Sequence, residues 1–527
     1  MNGRFSRRSA VLGALKGAAA GSLAALLGGA GLGAAGLASC AGSSGERRRI
    51  EGGFVDDGLG AGHRFRDGGL GPGAGRGREE RCRVLVIGGG VAGLSAAWRL
   101  ARAGVDGIVV TELAGRIGGT SRSGVMSSSA GARLACPFGA HYLPQPRSTQ
   151  LAVAALLDEA GMATGRTPDG RVAVPDRMIV RDPAERIGGL GFFEEGLWLS
   201  AGASGSDFEA LARFEAEIEQ NIAVDAIGRR LFDLPVQRSS EEARKLDSMS
   251  ALEWANARGY DSPRMRWYLE YATRDDLGAA LGDTSAWALL HYFTARADLK
   301  TKESARYLTW PEGNARLVTE LRRLSQSGLQ EERTSEVAIQ VASTEAGGAT
   351  AVTVNAETGE VTRWRADAVV VATPQFVTRR LLREDPAAKS RASFRYSPWL
   401  VANLHLERRP ESRGFPFAWD SVLHGSPSLG YVDACHQLDR ADAQDTVWTW
   451  YLPIIDADER AARQALLERP FETWRDVILD DLRTAHPDID ECVTRIDVWR
   501  WGHAMVKPAP GTMWGGMRDR AARSIGR

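Results

Sequence analysis

Three glycines set between an apolar run and a helix-forming run constrain this chain more than any other feature. Val84, Leu85, Val86 and Ile87 are uninterrupted apolar residues, the pattern of a parallel strand buried on both faces. Gly88, Gly89, Gly90, Val91, Ala92, Gly93 and Leu94 follow, and Ser95 to Arg102 are good helix formers. Gly104 then stands where a helix C′ glycine belongs. Gly88, Gly90 and Gly93 therefore supply G-x-G-x-x-G between strand and helix, the context in which that motif cradles a dinucleotide. Gly88 permits the tight turn, Gly90 lets a pyrophosphate reach the backbone, and Gly93 lets helix and strand pack closely. The N–H groups of the first helical turn, which opens at Val91 and Ala92, face the phosphates. A second strand, Ile108 to Thr111, ends in Glu112, 19 residues after Gly93, where an acid accepts ribose hydroxyls. The expected class is α/β, with a Rossmann-like dinucleotide-binding domain.

The rest of the composition narrows the partners. Lys plus Arg and Asp plus Glu are both 66, so the net charge is zero and no whole-chain attraction to nucleic acid is expected. Of the 60 glycines, 22 lie in the first 80 residues, so the excess belongs to the N-terminal segment. That segment opens with Arg4, Arg7 and Arg8 and has no charge from Gly17 to Gly45, the layout of an export signal. The paired arginines resemble a twin-arginine signal. Leu37-Ala38-Ser39-Cys40 looks like a bacterial lipobox, which predicts cleavage before Cys40, a lipid on its thiol and attachment to a membrane on the periplasmic side. Residues 1–39 are read as the signal and 40–80, rich in Gly and Arg, as a tether.

After Glu112 the chain continues Leu113, Ala114, Gly115, Arg116, Ile117, Gly118, Gly119, Thr120, Ser121. This resembles the FAD-dependent amine oxidase superfamily, in which an Arg, a hydrophobe and a Gly pair run along the FAD pyrophosphate. The family often carries Arg where Ala114 and Thr120 stand here, and Arg122 is the nearest substitute. Phe138, Gly139, Ala140, His141 and Tyr142 resemble the family's segment beside the isoalloxazine. Trp310 to Asn314, followed by Leu317, Leu321 and Leu324, resemble the return to the FAD domain. Val337 to Val341 resemble the strand that brackets the adenine, and Ala366 to Pro374 the buried strand ending in Ala372, Thr373 and Pro374. The resemblance implies FAD as cofactor and a domain assembled from discontinuous segments, 81–150 and 301–392. An α+β substrate domain is expected from 151–300, helical by period, and 393–514, strand-rich. Residues 515–527 read as a tail, and the family's last strand, Gly-rich turn and helix are not seen. Weaker flavin binding is the expectation that follows.

Eight of the 15 tryptophans fall in 393–514, with Trp448 and Trp450 on one strand face and Trp499 and Trp501 repeating the spacing. Each is read as core before it is read as part of an aromatic wall. No spacing suggests a metal site or a covalent nucleophile, and no catalytic residue is identified. Lys507, in Met505-Val506-Lys507-Pro508, reads as part of a surface loop. Cys82, Cys136, Cys435 and Cys492 allow 3 disulfide connectivities or none. The function expected is an exported FAD-dependent oxidoreductase that removes a hydride from a C–N or C–C bond of a small organic substrate. The alternatives are an isoprenoid desaturase- or isomerase-like flavoenzyme, marked by a long apolar tunnel, and a flavin-free lipid-anchored binding protein.

Overall fold

In the computed structural model, which describes residues 49–71, 77–127, 131–382, 394–438, 444–455 and 458–524, the apolar run and the glycines behave as read. The twin arginines and Cys40 lie outside the described residues. The first elements are β1 (Glu51–Phe54), α1 (Leu59–Arg66), β2 (Arg78–Ile87), α2 (Val91–Arg102) and β3 (Ile108–Thr111). Then come β4 (Glu185–Gly189), β5 (Phe192–Glu195), α3 (Gly205–Asn221), α4 (Ala251–Asn256), α5 (Pro263–Leu277), α6 (Ala286–Thr294) and α7 (Ala315–Ser325). Next are β6 (Leu329–Arg333), β7 (Glu336–Ser343), β8 (Ala349–Asn355), β9 (Val361–Val371) and β10 (Tyr396–Leu406). The last are β11 (Asp420–Leu423), β12 (Tyr431–Asp433), β13 (Thr446–Pro453), α8 (Phe471–Arg483) and β14 (Val493–Val506).

One six-stranded sheet has the order β6-β3-β2-β9-β8-β7. Its first four strands are parallel and the last two turn back antiparallel. Leu85, Val86, Val109 and Val110 are fully buried in it, as a parallel strand covered on both faces requires. Leu94 and Trp98 of α2 pack on Val318 and Leu321 of α7. Strand β9 bonds to β8 through Val361–Ala366 and to β2 through Thr362–Val371. Its last stretch, Asp367–Val371, therefore pairs on one flank only among the described residues.

The second sheet has eight strands in the order β1-β14-β10-β13-β12-β11-β4-β5. Trp448 and Trp450 of β13 point at α8, where Trp474, Ile478 and Leu482 bury them, so the core reading holds for this pair. Trp499 and Trp501 of β14 face the other way, and Trp499 stacks on Phe138 at 4.6 Å between ring centres. The helices α3 to α6 form a lobe around Phe214, Trp254, Tyr271 and Trp287. Their starts are written locally: Ser204 with Asp207 and Ser250 with Glu253 form capping boxes, and Ser262 caps a helix with Pro263 in its first turn. The 151–300 stretch, read as helical, also contributes β4 and β5 to the second sheet. Among the described residues no helix is long and apolar enough to cross a membrane.

Three sequence expectations are corrected or closed here. Composition predicts a tether over 40–80, yet residues 51–66 fold. β1 pairs in parallel with β14, Val55 N–H donates to Val498 O at 2.9 Å, and Asp56 forms a buried pair with Arg500. The average over forty residues hides the short apolar patch Ile50–Val55, whose partner lies at the other end of the chain. Lys507 is not on a surface loop: it is 2% exposed and pairs with Glu459 at 3.0 Å and Asp283 at 3.4 Å, which is how a lysine is tolerated inside. The four cysteines Cys82, Cys136, Cys435 and Cys492 are buried and free, and burial pushes the Cys82 thiol up to about 11 and the Cys136 thiol up to about 12.

Candidate cofactor and substrate site

The three glycines play three different physical parts. Gly88 turns with φ +109°, and a Cβ there would sit 2.7 Å from Ala372 O at the end of β9. A Cβ on Gly93 would collide with Gly88 O, so this residue allows the close helix–strand contact. Gly90 is different, because its nearest neighbour would be Gly119 Cα at 3.7 Å, an ordinary contact. Gly90 and Gly118 bridge backbone to backbone, and Gly118 N–H donates to Gly89 O at 2.9 Å. Helix α2, starting at Val91 and Ala92, has no side-chain cap on its first turn. Two glycine loops and an uncapped helix N-terminus thus meet at one place, which fits a pyrophosphate.

Glu112 closes one end of this cradle. Its carboxylate accepts from Gly89 N–H at 2.8 Å and Ala114 N–H at 3.0 Å. Burial nevertheless raises its pKa, the two N–H groups offsetting only part of the lost hydration. Each oxygen keeps a lone pair suited to a ribose hydroxyl. Glu336 N–H donates to Glu112 O at 2.8 Å, which brings the start of β7, with Val337, beside the acid. Ala372 N–H donates to Ile87 O at 2.8 Å, and Thr373 meets Thr378 at 3.0 Å beyond the Gly88 turn. At the other end, Ala140 N–H donates to Thr120 O at 3.0 Å, and a Cβ on Gly139 would lie 2.5 Å from the same oxygen. The structure therefore gathers Gly118, Gly119 and Thr120 with Gly139 and Ala140. Arg116 sits over the Phe138 ring at 5.5 Å.

The departures from the family pattern have a structural companion. Gly58 lies against Ala114: a Cβ on Gly58 would be 2.6 Å from Leu113 Cδ2 and 3.2 Å from Ala114 Cα. A long side chain at position 114 would meet this segment. Asp57 accepts from Gly115 N–H at 3.1 Å and from Arg122 Nη1 at 3.3 Å. Arg122 also donates to Gly119 O at 3.0 Å and stacks on Trp499 at 4.7 Å. The arginine named as a substitute does reach the cradle, and sequence reasoning missed Asp57 altogether.

At the far end, His141 is buried with Nδ1 3.0 Å from Tyr451 Oη, and that hydroxyl donates to Gly139 O at 3.0 Å. The hydroxyl proton being so used, the imidazole carries its own proton on Nδ1 and leaves Nε2 as a lone pair. Burial lowers the His141 pKa to about 3, and Nε2 has no hydrogen-bond partner. His141 meets Trp419 edge-on at 5.7 Å, and Trp419 stacks on Tyr307 at 6.1 Å. Tyr307 lines a cavity of about 40 Å³ together with Phe214, Tyr268, Tyr271, Tyr292 and Arg296. Arg296, paired with Asp276, lies over the Tyr292 and Tyr307 rings at 5.2 and 5.8 Å. Tyr268, Tyr271 and Tyr292 read in the sequence only as a helical core, since nothing in their spacing distinguishes a cavity wall from packing.

The model of one protein family, flavin containing amine oxidoreductase, matches residues 91–521. A putrescine oxidase bound to putrescine is similar in structure, with 17% identity, a TM-score of 0.53, and 80% of this chain and 85% of that one covered. An oxidoreductase from Methanosarcina mazei gives 14% identity and 0.54 over 82% and 90%, and a protein from Pyrococcus furiosus 16% and 0.51 over 84% and 99%. At these identities the likeness is one of fold. Comparison with curated proteins finds no match. A family model spanning most of the length, laid over a fold that forms the glycine cradle and its acid, places this chain in the flavin-containing amine oxidoreductase family, as an FAD-dependent oxidoreductase.

Proposed function

We propose that this enzyme oxidises a small organic amine at a C–N bond. The observation that carries the reading is the aromatic cavity joined to His141 through Tyr307 and Trp419. Arg296 shares the wall and covers Tyr292 and Tyr307, but Asp276 offsets its charge. Phe214, Tyr268 and Tyr271 with Glu215 are thus left to suit a small cation, and a cavity of this volume suits it better than an isoprenoid, which needs a long apolar tunnel. The putrescine bound to the similar putrescine oxidase supports the same class.

Gly90, Gly118 and Gly119, the N-terminal turn of α2 and Arg122 would hold the pyrophosphate of FAD, and Glu112 the ribose. Thr120, Gly139, Ala140 and His141 would lie along the flavin. Bound there, FAD supplies the hydride acceptor that the side chains lack. The chain's own residues orient and dry the site: Tyr307 and Trp419 form its wall, and His141 Nε2 offers an acceptor for a donor on substrate or cofactor. Oxidation of a C–C bond is the second reading. Anaerobic titration of the flavin-loaded protein separates them. Small amines should bleach the oxidised flavin absorbance, and Tyr307→Ala should raise KM more than it lowers kcat. Flavin that stays oxidised with every amine but is reduced by a carbon-only substrate overturns the amine reading. We also propose export and a lipid on Cys40, supported by the twin arginines and the Leu-Ala-Ser-Cys run; a cellular protein with an intact N-terminus and unmodified Cys40 by mass spectrometry would refute it.

A further inference from the structure

The segment that joins the two sheets crosses the rim of the cofactor cradle. One end is fixed: β1 pairs with β14, and Asp56 accepts from the Arg500 backbone N–H at 2.7 Å and from Arg500 Nε at 2.8 Å. At the other end α1 packs Ala61 and Phe65 against Val337, Ile339 and Val354, and Arg64 donates to Ala356 O at 2.8 Å. Between them Asp57 puts its carboxylate on Gly115 N–H and Arg122. A backbone N–H beside a guanidinium is the chemistry that receives a phosphate oxygen. Asp57 is thus an anion already seated where the cradle offers its charge, and its presence raises the proton affinity of the neighbouring Glu112. A pyrophosphate would bring further negative charge to the same guanidinium, and like charges at this spacing repel. Gly58, with φ +82°, follows Asp57 directly and gives the segment a place to bend.

We propose that residues 57–66 are a gate on the cofactor groove, with Asp57 holding Gly115 N–H and Arg122 until the pyrophosphate of an incoming FAD displaces it. The proposal rests on the cofactor site described above and adds a step to its loading. Asp56 and β1 stay in place as the hinge side while Asp57 and α1 lift.

The test follows uptake of FAD by flavin-free full-length protein, through quenching of flavin fluorescence in rapid mixing. Asp57→Asn keeps the shape and removes the charge, and should speed association by about fivefold, the size expected of a partly exposed ion pair. Asp57→Glu keeps the charge and should associate near the wild-type rate. Hydrogen exchange over 57–66 should rise when FAD is added. Equal or slower uptake by Asp57→Asn, or greater protection of 57–66 with FAD bound, overturns the gate and leaves the cofactor site standing. No uptake by any of the three proteins overturns both.

Discussion

Two buried histidines, His486 and His141, are satisfied in contrasting ways. In the eight-stranded sheet, His486 packs beside Trp448 with both nitrogens used: Nε2 meets Tyr431 Oη at 2.7 Å and Nδ1 meets Glu411 O at 2.8 Å. His141, between the sheets, uses Nδ1 and leaves Nε2 bare. Burial holds both neutral, at about 4 and about 3. The difference between these two is satisfaction: His486 has spent its hydrogen bonds, and His141 has one left. The tryptophans divide by place, with Trp448 and Trp450 sealed under α8 and Trp499 and Trp501 turned toward Arg122.

If one region serves stability and the other binding, substitutions should separate them. The largest effect is expected from Trp450→Ala, which empties a fully buried site and removes the bond to Asp481, costing about 3–5 kcal/mol in chemical denaturation. FAD affinity of the folded fraction should not change; a parallel loss would merge the two regions. Gly90→Val should do the reverse, leaving apoprotein stability near wild type because a Cβ there meets only ordinary contacts, while FAD retention falls. Glu112→Ala should weaken FAD by about 1.5–3 kcal/mol, or about 10- to 150-fold, by equilibrium titration. Unchanged flavin content in both would move the cofactor elsewhere. The smallest effect is a slope. His486 has a folded pKa of about 4 against an ordinary 6.5, so its share of stability is present above pH 6.5 and is lost as pH falls toward 4. That loss reaches about 1.4 kcal/mol per pH unit, and His486→Gln should flatten the acid limb of a Tm-against-pH curve.

Legibility in the sequence followed distance along the chain. Gly88, Gly90, Gly93 and Glu112 lie within 25 residues of one another, and their spacing alone carried strand, turn, helix and acid. The capping serines of α3, α4 and α5 are equally local. Asp57, Tyr451 and Tyr307 gain meaning only from partners 58, 310 and more residues away, or from a ring stack, and no period reports those. Lys507 misled for the same reason, since its carboxylate partners come from Asp283 and Glu459. Composition misled over 40–80 because an average erases a four-residue strand.

The pairing of β1 with β14 has a consequence for the order of assembly. Asp56 and Arg500 are 444 positions apart, so the contact that anchors the segment over the groove cannot form until β14 has been synthesised. The strands β2, β3, β6 and β9 and the helix α2, which make the groove, are all translated before that moment. A growing chain therefore holds the segment over the groove by Asp57 and α1 alone, without the Asp56 anchor, and flavin captured during translation meets a weaker barrier than the finished protein would impose. Cofactor supplied to the nascent chain and cofactor supplied to the purified apoprotein should then load at different speeds, and the hinge at Asp56 marks where the two routes part.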